Sequence, residues 1–94
     1  MMNTYIYSKW KNPPKGSPIE FHSELDESRF EIRKVEVFQN GKLGYASKTE
    51  SMPDTRLGIT PVPSLAEIMS QPEFDAKTIT KQQFETMWNK AIGK

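Results

Sequence analysis

Hydrophobic and polar residues alternate along the first half of the chain and recur at helical spacing along its last quarter. Residues 4–11 read as a strand, with Ile6 and Trp10 on one face and Tyr5, Tyr7 and Lys9 on the other. The run Asn12-Pro13-Pro14-Lys15-Gly16-Ser17-Pro18 is a loop, because its prolines remove ladder donors. Residues 19–25 alternate again, with Ile19, Phe21, Ser23 and Leu25 inward and Glu20, His22 and Glu24 outward. Asp26-Glu27-Ser28 marks a turn.

Residues 30–38 form the strongest strand pattern. Their apolar positions change parity, from Phe30 and Ile32 to Val35 and Val37, which predicts a bulge near Arg33-Lys34 or burial on both faces. Asn40-Gly41 follows, and both residues tolerate positive φ, so a two-residue type I′ hairpin is expected. That turn pairs Phe38 with Leu43 and Glu36 with Tyr45. Residues 48–54 read as a polar loop, and 57–60 as a short edge strand stopped by Pro61 and Pro63.

Two helices are expected afterwards. Ser64 and Glu67 make a capping box ahead of Leu65, Ile68 and Met69, and Pro72 ends that helix near Ser70. Thr80 and Gln83 make a second box, with Ile79 placed to staple against Phe84. Phe84, Met87, Trp88 and Ala91 then recur on one stripe, and Gly93 stops the helix. Strands come first and helices last, without βαβ alternation. The expected class is α+β: an antiparallel sheet of three to five strands, then two helices packed on one face. Residues 1–94 are expected to form a single domain.

Composition narrows the function classes. With no cysteine, disulfides, thiolate zinc sites and cysteine nucleophiles are excluded, and a reducing cytoplasm is the expected compartment. The N-terminus has neither the basic start nor the apolar run of a signal peptide, and no stretch is apolar enough to span a bilayer. The net charge is +1, unevenly spread: residues 17–31 carry Glu20, Glu24, Asp26, Glu27 and Glu31 against Arg29 alone. No dense Lys/Arg stripe exists, so neither nucleic acid nor a membrane is expected as partner. An acidic segment between basic flanks instead suits a basic protein.

His22, the single histidine, lies between Glu20 and Glu24 on its strand face. A carboxylate could orient it as a general base, but the same pattern describes a solvated polar face. One histidine is a poor ligand set for a metal, and no phosphate-loop spacing occurs among the glycines. No catalytic, metal or cofactor site is therefore assigned. The expected partner-binding residues are Glu20, His22, Glu24, Asp26, Glu27 and Arg29, with Tyr5 or Tyr7 as an exposed aromatic anchor.

The stretches Tyr5-Ile6-Tyr7-Ser8-Lys9-Trp10, Leu25-Asp26-Glu27-Ser28-Arg29-Phe30-Glu31-Ile32-Arg33-Lys34-Val35-Glu36, Leu43-Gly44-Tyr45-Ala46, and Leu57-Gly58 through Pro61-Val62-Pro63-Ser64 carry a resemblance. On them the chain resembles a family of small bacterial single-domain proteins of unknown function. That resemblance implies a bacterial domain and transfers no catalytic motif. Three functional expectations follow. The first is a non-catalytic immunity protein that masks a basic toxin domain. The second is a small enzyme or ligand-binding domain using His22 with Glu24 and Arg56. The third is an oligomeric module pairing through Tyr5, Tyr7 and Tyr45.

Overall fold

The computed structural model describes residues 3–94. Its strands are β1 (Thr4–Trp10), β2 (Pro18–Leu25), β3 (Glu31–Phe38), β4 (Leu43–Ser47) and β5 (Phe74–Thr78). Helix α1 (Leu65–Met69) precedes β5 and helix α2 (Lys81–Ala91) follows it. The strands form one antiparallel sheet in the order β4-β3-β2-β1-β5. The α+β class is thus observed, with five strands and two C-terminal helices. Among the described residues, no helix is long and apolar enough to cross a membrane.

β5 is absent from the sequence expectation. Its residues, Phe-Asp-Ala-Lys-Thr, alternate over only five positions and include a single β-branched residue, so pairing with β1 makes it a strand. The expected edge strand at residues 57–60 does not form. That stretch is an irregular loop, and a different segment occupies the sheet edge.

The parity change in β3 has the expected cause, displaced by a residue. Glu24 pairs with Arg33 and Leu25 with Glu31, so Ile32 is the extra residue of a bulge. The hairpin register is corrected by one position. Val37 pairs with Leu43, Glu36 with Gly44 and Val35 with Tyr45. The Gly41 amide donates to the Phe38 carbonyl and the Phe38 amide to the Lys42 carbonyl, and only Gly41 of the turn has positive φ. This is a three-residue loop closed by a glycine bulge, the alternative geometry for an Asn-Gly pair.

Both capping boxes form as expected, at Ser64/Glu67 and Thr80/Gln83. The helices do not share a face of the sheet. Phe84 and Trp88 of α2 pack against Tyr5 and Tyr45, on the side that also carries Glu24 and Arg33. Ile68 of α1 instead shares a cleft with Ile6, Ser8, Phe21 and Ser23, whose side chains point the other way. The expectation of one covered face fails because alternation leaves apolar residues on both sides. Ile6, Leu25 and Ala46 are buried on one side, and Val35 and Phe84 on the other.

Gly44 fixes how the second layer meets the sheet. A Cβ there would sit 2.1 Å from the Thr55 hydroxyl. Thr55 is buried and donates to Glu36 at 3.0 Å, so its side chain pins the irregular segment after β4 to the sheet. Burial pushes the Glu36 carboxyl above the usual range, against the Thr55 bond and the Lys34 charge.

Candidate functional site

The expected binding residues divide between the α2 side of the sheet and the turn that follows β2. On the α2 side, Tyr5 and Glu24 are structural. The Glu24 carboxylate accepts from Asn3, from the Tyr5 hydroxyl at 2.9 Å and from the Arg33 guanidinium. Arg33 also holds Glu85 of α2 in a two-point contact and lies over the rings of Phe84 and Trp88 at 4.9 and 5.1 Å. Burial alone would raise the Glu24 pKa, but its bonds to Arg33, Asn3 and Tyr5 outweigh that and hold it below normal. The Glu85 contact raises the already high pKa of Arg33, and burial beside Glu24 raises that of Tyr5. Glu24, expected on an exposed acidic face, is 6% exposed and belongs to this ion network. Tyr45 lies edge-on to Trp88, so Tyr5 and Tyr45 both pack against α2 while remaining half-buried.

Further along the same face, Tyr7 packs edge-on to His22 with centroids 5.1 Å apart, and the Lys77 ammonium lies over Tyr7. Both His22 ring nitrogens are buried without a hydrogen-bond partner. The Glu20 carboxylate is 3.9 Å away, so it acts on the ring as a charge. Burial lowers the His22 pKa, against the pull of Glu20, while burial and Glu20 raise that of Tyr7. The set His22, Glu24 and Arg56 is not brought together. Glu24 is bonded into the Arg33 network, and Arg56 belongs to the segment pinned on the opposite side through Thr55. His22 lines neither the groove beside the β3–β4 hairpin nor the cleft under Ile68. No cluster of three potential metal ligands occurs among the described residues.

Just beyond Glu24, the C-terminal end of β2 leads into a rigid corner. Asp26 opens the turn into β3, its Oδ1 accepting from the amides of Ser28 and Phe30. Arg29 takes a positive φ of 68°, which a non-glycine residue holds only where the surroundings enforce it. Here they do. The Arg29 carbonyl accepts from the Val62 amide, and its guanidinium donates to the carbonyls of Val62 (2.8 Å) and Pro63 (2.7 Å). Glu31 completes the clamp by accepting from the Gly58 amide. Residues 57–63 are therefore tied down near both ends.

This clamped loop displays Ile59, which is 91% exposed, and the turn beside it displays Phe30 at 39%. Glu27 is exposed at the tip of the same turn. Arg29, expected to face a partner with its charge, instead spends it on backbone carbonyls. Ile59 and Phe30 were missed as surface features because apolar residues in a sequence read as core. Pro61 and Pro63, which keep residues 57–63 out of a sheet, were the available signal.

No curated protein and no solved structure matches this chain. A family model described as "Domain of unknown function (DUF6881)" matches residues 4–93, from the start of β1 to beyond α2. Every element that forms the corner lies within that match, and the chain belongs to this family.

Proposed function

We propose that this protein is a non-catalytic binding protein that works by masking another protein, specifically a bacterial immunity protein covering a basic toxin domain. The docking surface is the corner formed by residues 26–30 and the 57–63 loop. One observation carries this reading: a fully displayed Ile59 on a loop held by Arg29 and Glu31. A solvent-facing aliphatic side chain gains nothing for the fold. Mounted on a pre-ordered loop, it meets a partner without the entropy loss that weakens flexible anchors. Phe30 widens the apolar patch, and Asp26 and Glu27 give its margin the negative charge that steers a basic partner.

The test is site-directed photo-crosslinking in host cells, with the crosslinker at position 59 and, as control, at Lys90 on α2. A protein captured only from position 59 is then expressed by itself and with this chain. The masking reading expects growth arrest in the first case and its relief in the second. Ile59→Asp should keep wild-type stability within about 0.5 kcal/mol, as exposed substitutions do, and lose both capture and relief. A partner caught equally from position 90, or relief that survives Ile59→Asp together with Phe30→Ala, would overturn the assignment of the corner. A captured protein that arrests nothing would overturn toxin masking while leaving binding in place.

A further inference from the structure

The sheet face opposite α2 is roofed from two sides and left open between them. On one side Thr55 and Val62 bring the irregular segment over β3, and on the other Ile68, Gln71 and Phe74 rise beside β5. Between these walls lies a cleft of about 280 Å3 whose floor is the middle of the sheet, Ile6, Ser8, Phe21 and Ser23. Pockets for drug-sized ligands measure roughly 300–1,000 Å3. At about 280 Å3 the cleft falls just below that range and suits only a smaller molecule.

Its polar groups define which one. Glu31 and Lys34 stand on one wall, their side chains only 9% and 13% exposed, with Nζ to Oε1 at 3.0 Å. Lys34 has three N–H donors, and this pairing with the Arg56 carbonyl at 2.9 Å uses two. Glu31 Oε1 takes Lys34 and the Gly58 amide, which leaves its second oxygen to accept. The wall thus offers one cationic donor and one anionic acceptor side by side. A ligand with one charge would be attracted by one group and repelled by the other. A purely apolar ligand would cover two ions and the Ser8 and Ser23 hydroxyls without replacing their water, which costs binding energy.

We infer that this cleft is a binding site for a free α-amino acid with an apolar side chain. The ligand carboxylate accepts from Lys34, its ammonium donates to Glu31, and its side chain lies between Phe21 and Phe74. The zwitterion extends the existing ion pair into an alternating four-charge array, in which each charge meets opposite neighbours. The larger groove, about 740 Å3 beside the β3–β4 hairpin, has no such pair: its lysines, Lys15 and Lys42, are exposed at the rim. This site is separate from the docking corner except that Glu31 and Val62 serve both.

Amide chemical shifts of the 15N-labelled protein, followed during titration with L-leucine, test the inference. Saturable shifts are expected around Ser8, Ser23, Lys34 and Gln71. Isoamylamine and 4-methylvalerate, which each keep one charge and a similar alkyl group, should bind about tenfold more weakly or worse, as loss of one charged hydrogen bond implies. Lys34→Met should abolish the leucine response, with its own spectral changes confined to the surroundings of Glu31 and Arg56. If that variant does not fold, the analogue series on the wild-type protein decides alone. Equal binding of either analogue, shifts centred elsewhere, or no saturable response to leucine would overturn the inference.

Discussion

Gly44→Ala tests how the sheet and its irregular cover are joined. The new Cβ would stand 2.1 Å from the Thr55 hydroxyl and 3.1 Å from Cε1 of Phe38. Thr55 is fully buried and has no room to retreat, whereas the half-buried Phe38 ring borders the groove and can give way. Overpacking of this kind costs about 1–3 kcal/mol. Turning Thr55 aside also breaks its bond to Glu36, a contact to a charged group that is worth about 1.5–3 kcal/mol. Partial relaxation makes the two contributions less than additive, so a loss of about 3 kcal/mol is expected, against roughly 5–15 kcal/mol for a typical domain. With a urea slope near 1.5 kcal/mol per molar, the midpoint should fall by about 2 M.

The double variant with Thr55→Ala makes the reasoning strict. Removing the hydroxyl removes the obstacle, so the second substitution should cost at least about 1 kcal/mol less in the Gly44→Ala background than in wild type. Urea unfolding followed by tryptophan fluorescence reports all four proteins. A Gly44→Ala loss below about 1 kcal/mol, or simple additivity in the double variant, would show that Thr55 does not fix the segment.

His22→Leu should flatten the pH dependence of stability below neutrality. The folded pKa of His22 lies below its ordinary 6.5, so the unfolded chain binds more protons and wild-type stability declines as pH falls from about 6.5 toward the folded value. Thermal melts from pH 7.5 to 5 would show that slope in wild type and its loss in the variant. Arg33→Met leaves the buried Glu24 without its cation and should cost about 3–5 kcal/mol, a larger loss than Glu85→Gln gives in parallel denaturation curves. Thr80→Ala removes a cap bonded to the Gln83 amide at 3.0 Å and should cost about 1 kcal/mol, read as a lower melting temperature with unchanged native circular dichroism.

The elements that sequence made legible are those held by local rules. Strands β1 to β3 follow from alternation, and both helices start where Ser64 and Thr80 reach their third residue. What stayed hidden depends on contacts between distant residues. β5 is a strand because β1 presents an unfilled edge, a fact outside its own five residues. The hairpin slipped by one position because Asn-Gly is compatible with two loop lengths, and only cross-strand packing selects between them. Glu24 looked exposed by alternation, yet Arg33 opposite it and Glu85 from α2 bury it with compensation. The clamped corner was half visible: the acidic turn at residues 26–28 was legible, whereas the left-handed Arg29 and its grip on Val62 and Pro63 were not.

The position of β1 inside the sheet also governs the order in which the molecule can be assembled. One edge of β1 pairs with β2, its neighbour in sequence, whereas the other pairs with the distant β5, where Ile6 faces Thr78. Contacts between such distant residues close late and slow folding relative to local pairings. A nascent or truncated chain that stops before residue 74 therefore carries a four-stranded sheet with an open edge of seven residues, Thr4–Trp10, the type of surface that recruits foreign strands. Addition of the last quarter of the chain buries that seven-residue edge under β5 and replaces it with a shorter edge of five residues, Phe74–Thr78.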